Sequence, residues 1–121
     1  VERVPSGSTA NQLRKHATAG GPALPMFAIE RDMYELDNTT QDIAKDYPTN
    51  DTVRFVVVPP GTEVYSFIGP SESVGIGTVL DSKGDGTFKT RTSGNFPLAR
   101  ALEAVSNTGA TTNKRTRVET L

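Results

Sequence analysis

Cysteine and tryptophan are absent from this 121-residue chain, histidine occurs once (His16), and only 35% of the residues are hydrophobic. Without cysteine there is no disulfide framework, no zinc–thiolate site and no thiol nucleophile. A single imidazole removes most histidine-based metal sites and nearly all histidine acid–base mechanisms. No apolar run approaches the ~20 residues of a membrane span. The stretch from Val1 to His16 carries no apolar segment of the signal-peptide kind, so the reading predicts a soluble, non-exported chain. An excess of charge of either sign is missing as well. Thirteen Lys and Arg face fourteen Asp and Glu for a net of −1, whereas a domain that binds nucleic acid electrostatically is usually strongly basic. The length fits one domain, and the low apolar share predicts a thin core that contacts beyond the core help to stabilise.

What is present points to strands. Glycine (11) and proline (8) punctuate a chain rich in Thr and Val, which favours turns and pleated segments over helices. Charges are segregated along it. Residues 30–51 hold seven acids against Arg31 and Lys45, a net of −5, while residues 83–121 hold seven bases against Asp85, Glu103 and Glu119, a net of +4. Such blocks are either solvated faces that cancel within one fold or patches that meet between subunits and set their register.

Residues 1–24 read as an extended or flexible N-terminal arm, since Gly, Pro, Ser and Thr dominate and no apolar period is sustained. The body is assigned to residues 25–121. Met26–Glu30 is a plausible strand before a polar, turn-rich stretch. Thr52–Val58 is β-branched or aromatic almost throughout and reads as a strand buried on much of both faces, stopped by Pro59-Pro60-Gly61. Glu63–Gly69 alternates, and antiparallel pairing of these two strands is expected. A short strand around Gly77–Leu80, a hairpin loop at Ser82–Gly86, a return strand at Thr87–Thr92 and a last strand in Lys114–Leu121 complete the series. Pro97–Val105 is ambiguous. Leu98, Ala101, Leu102 and Val105 recur at helical spacing, with Pro97 in the first turn.

Few groups could carry chemistry. Asp81–Gly86 departs from a calcium loop, because Lys83 stands where an oxygen ligand is required, and is read as a tight turn. Gly20-Gly21 and Gly75-Ile-Gly77 lack the Lys-Ser/Thr that follows in a phosphate-binding loop. Acid pairs such as Glu30/Asp32 or Asp42/Asp46 lie in a turn-rich stretch, and the chain has no Trp and few aromatics to stack a sugar. Phe55, Tyr65 and Phe88, with Lys89 and Arg91, could form a stacking platform for single-stranded nucleic acid, although aromatics on alternating strands more often fill a core. No catalytic, metal or cofactor site is expected.

Several segments taken in order carry a resemblance. They are Gly20-Gly21-Pro22-Ala23 before Phe27–Glu30, Asp51-Thr52-Val53 before Pro59-Pro60-Gly61, Glu63–Phe67, Glu72–Gly77, Leu80–Ser82 before Gly84–Thr87, Ala101–Val105 and Arg115–Glu119. Over about residues 16–121 this series resembles the small head decoration, or capsid-stabilising, proteins of tailed phages and tailed archaeal viruses. The resemblance implies an all-β body, a small antiparallel β-barrel or sandwich, commonly trimeric, with an arm along the major capsid protein. It also implies a strand at Ala101–Val105, against the helical spacing. On that footing the chain is expected on the outer surface of the virion, stabilising the mature head and binding the major capsid protein and itself, with no membrane or nucleic-acid partner. Arg14, Lys15, His16, Gly20, Gly21 and Pro22 are then the candidate capsid-binding residues of the arm, and Asp37, Asp42 and Asp46 the candidate intersubunit or capsid contacts. The alternative is a small β-barrel module for single-stranded nucleic acid or glycan, with Lys89 and Arg91 in its groove.

Overall fold

The computed structural model describes residues 1–3, 12–29 and 53–121. These form only strands and turns: β1 (Glu2–Arg3), β2 (Leu13–Arg14), β3 (Met26–Ala28), β4 (Phe55–Val57), β5 (Glu63–Ile68), β6 (Ser73–Val74), β7 (Val79–Ser82), β8 (Phe88–Thr90), β9 (Ala99–Ala101), β10 (Val105–Ser106) and β11 (Lys114–Thr120). The all-β expectation holds. Asp37, Asp42 and Asp46 lie outside the described residues.

Five strands close on themselves in the order β11-β5-β8-β7-β9, with β9 returning to β11. The longest ladder is β5–β11, from Lys114↔Ile68 to Glu119↔Glu63. One pairing departs from the expected antiparallel pattern: β5 meets β8 in parallel at Ile68↔Phe88. Closure removes sheet edges that would otherwise offer unpaired N–H and C=O groups. Alternation fills the interior. Thr116, Val118 and Thr120 of β11 are buried, while Lys114, Arg115 and Arg117 face solvent.

The core is thin, as composition implied. Ile68, Val74, Leu80, Ala99, Ala101, Val105 and Val118 form one buried cluster, with Val64 and Phe88 packed against it. The larger members each contribute about 1.5–3 kcal/mol by leaving water. Buried hydroxyls of Ser82, Thr116 and Thr120 share the remaining interior.

Two expectations need correction. β4 does not pair with β5; it pairs with β3 through Met26↔Val57, Phe27↔Val56 and Ala28↔Phe55. The Pro59-Pro60-Gly61 corner explains this. Neither proline can donate to a ladder. Gly61 N donates to Thr120 O (2.7 Å) and Thr62 N to Thr120 Oγ1 (3.1 Å), so the corner delivers β5 to β11 and leaves β4 outside the barrel. Nor is β4 buried on both faces. Phe55, Val56 and Val57 are 38%, 38% and 56% exposed, and burial begins only at Val58.

The ambiguous segment is not helical, and the strand implied at Ala101–Val105 is broken. β9 ends at Ala101 and β10 begins at Val105. Ala99 and Ala101 face inward against Leu80 and Val118, a period-2 placement that overrides helical spacing. The ladder stops where Glu103 Oε1 accepts the Arg117 N–H at 2.8 Å, so that the side chain takes a donor a strand neighbour would have used. The hairpin at Ser82–Gly86 forms as expected, with positive φ at Gly84 and Gly86 and β7 antiparallel to β8.

Candidate functional site: the strap and the outer sheet

Residues 12–25 run as a strap over the β7–β8 hairpin and the loop before β9. At the strap's start β2 pairs with β1, and Arg14 Nε reaches Glu2 Oε1 at 2.6 Å. That pair is half exposed and contributes little stability. Further along, Gly86 N donates to His16 O, Gly20 N to Ser82 O at 2.8 Å, and Phe96 N to Gly20 O at 3.0 Å. Gly20 therefore joins strap, hairpin and loop through its backbone. Its φ is +67°, and a Cβ there would fall 2.3 Å from the Asn95 side chain, so both conformation and close approach require glycine.

His16 is the buried anchor of the strap. Its Nδ1 lies 2.7 Å from Ser82 Oγ, and its Nε2 lies 3.2 Å from Pro22 O and 3.5 Å from Glu2 Oε2. A carbonyl only accepts, so Nε2 carries the proton in the neutral ring and Nδ1 accepts the Ser82 hydroxyl. Ser82 Oγ in turn accepts the Gly84 N–H at 3.1 Å. The spacing is that of a nucleophile and its base. Here, however, Ser82 is 3% exposed and Glu2 stands beyond hydrogen-bond reach of the ring, so the arrangement works as a clamp.

Beneath the strap, Asp81 is fully buried and fixes the loop against which Gly20 lies. Its Oδ2 accepts Thr92 N at 3.1 Å and Asn95 Nδ2 at 2.5 Å. Its Oδ1 has no hydrogen bond, with Lys89 Nζ at 3.9 Å.

The six arm candidates thus divide. His16 and Gly20 are turned toward the chain's own barrel, whereas Gly21 closes a turn within the strap, its N donating to Thr18 O at 3.2 Å. Arg14, Lys15 and Pro22 present exposed side chains. Sequence reasoning missed the partners Ser82 and Asn95, which no local motif marks. It also misplaced the apolar side chains of Phe55, Val56 and Val57, which stand exposed on the β3–β4 sheet, Phe55 and Val57 on one face and Val56 on the other. Exposed Leu24, Ile29 and Phe96 extend the apolar character of the strap and its neighbouring loop.

The residues of the stacking platform do not share a face. Phe55 stands on β4, Phe88 packs on the core with its ring 6.5 Å from that of Phe27, and Tyr65 faces outward beneath Arg115 at 4.2 Å. Lys89 donates to Thr92 Oγ1 and Arg91 to Asn95 O, within their own loop. Among the described residues no group of three His, Asp or Glu side chains is placed to hold a metal. No family model, curated protein or solved structure matches the chain.

Proposed function

We propose that this chain is a viral capsid decoration protein that binds the outer surface of the mature head through the major capsid protein and stabilises the shell. In this reading it acts as a homotrimer, without catalysis and without contacting nucleic acid. The order of segments that resemble such proteins supports the reading. The observation that carries it is the outer sheet: three consecutive apolar residues, Phe55–Val57, stand exposed beside a closed barrel. Contiguous exposed apolar surface is a hallmark of interaction sites, and a partner that binds only the folded form adds to its stability. The contact surface then comprises β4 with Arg14, Lys15 and Pro22 of the strap, while His16 and Gly20 hold that strap in place.

Replacing Phe55 and Val57 by lysine tests this. The fold should persist, because neither side chain belongs to the buried core. Occupancy on mature heads lacking the protein, measured by co-sedimentation, should fall more than about tenfold, as expected when a docking centre is lost. Full occupancy by the folded double variant overturns the assignment of the outer sheet.

A further inference from the structure

Where the strap crosses the end of the barrel it borders a partly open cavity of about 150 Å³. Phe27, Phe88 and Leu98 supply apolar wall, and the rings of Phe27 and Phe88 are inclined at 54° to each other. Four polar side chains also line it: His16, Ser66, Ser82 and Thr87. Three are already engaged. His16 and Ser82 bond each other, and Thr87 Oγ1 donates to Asp85 Oδ1 at 2.5 Å. Ser66 differs, because its hydroxyl forms no hydrogen bond among the described residues. Opposite it in the β5–β11 ladder, Thr116 is fully buried and its hydroxyl has no partner either.

We infer that this cavity is a binding site for a small aromatic molecule bearing one hydroxyl. Size sets the first limit, since a volume of about 150 Å³ is enough for a single benzene ring. The inclined rings of Phe27 and Phe88 favour an aromatic guest through edge-to-face contact. The Val1 ammonium also borders the cavity and donates to Met26 O at 2.9 Å. Among the lining side chains Ser66 supplies the free hydroxyl, and it thereby sets the position of the guest's polar group. The site lies in the mouth of the barrel, a frequent place for ligands in this architecture. The outer face of β4 is no part of it, so the site stands apart from the docking surface.

Amide shifts of the full chain, titrated with phenol and benzene, test this. Phenol should move Phe27, Ser66, Phe88 and Leu98 saturably, and benzene should bind about five-fold more weakly, the worth of one hydrogen bond. Ser66→Ala should bring phenol down to the affinity of benzene, and Ala23→Leu, which fills the cavity from the strap, should abolish binding. Absence of saturable shifts with phenol overturns the site, as does unchanged binding by a folded Ala23→Leu protein. Equal affinity for phenol and benzene, or an unchanged Ser66→Ala variant, overturns the role of Ser66. The ligand series on the unmodified chain decides the matter if either variant does not fold.

Discussion

β4 and β5 are consecutive strands joined by Val58–Thr62, and they occupy opposite environments. Phe55–Val57 is wholly apolar yet exposed at every position, with β3 as its ladder neighbour. Glu63–Ile68 is mixed, yet it lies between β11 and β8, and its end, Ile68, is completely buried. The more hydrophobic strand is thus the less buried. Burial in this barrel follows from having neighbours on both sides and from alternation that divides inside from outside, not from apolar content. Among the described residues β4 has a single ladder neighbour, and what it lacks in neighbours it offers as surface, which is why the docking reading rests on it.

Truncation gives the sharpest way to break that contrast. Ile68→Ala should cost about 2–5 kcal/mol, the range for large-to-small changes in a packed core. Its site is poorly able to collapse, since it faces a rigid ladder on each side. Urea denaturation followed by circular dichroism measures the loss. A cost below about 1 kcal/mol would mean that the barrel interior is not the stabilising centre.

An intermediate effect is expected at the strap, which leads directly into β3 and holds β4 through the Val58 N–H on Pro25 O. His16→Ala leaves Ser82 and the Pro22 carbonyl without their imidazole partner, a loss of about 1–3 kcal/mol. Hydrogen exchange should locate that loss. Amides of the β3–β4 ladder should lose protection first, while those of β5–β11 keep theirs, because the strap anchors the outer sheet and the barrel is closed without it. Equal loss in both ladders would show that the two regions open as one unit.

The same contrast explains what could be read from the residues alone. β11 was legible because Thr116, Val118 and Thr120 alternate with Arg115, Arg117 and Glu119, and the β7–β8 turn because Gly84 and Gly86 mark positive φ. β4 misled because a continuous β-branched run looks identical whether buried between strands or left at an edge. The segment around β9 and β10 was ambiguous because Ala99 and Ala101 are too small to impose a period, and only Leu80 and Val118 across the barrel show which face is inward. The site was legible in part. The lone histidine and the paired glycines stood out, but the hydroxyl that holds His16 lies 66 residues away in the chain, and no spacing rule connects them.

The smallest effect belongs to β4 itself. Val57→Thr exchanges a methyl for a hydroxyl at a position 56% exposed, keeps the β-branch that suits a strand, and leaves the backbone pair with Met26 intact. Stability should change by no more than about 0.5 kcal/mol, as for surface substitutions that touch no core. The same urea titration used for Ile68→Ala measures it, so that the two values bracket the difference between strands. A loss approaching that of Ile68→Ala would mean that the outer face of β4 is covered in the free protein. The surface proposed for docking would then already be occupied, and binding would require its displacement.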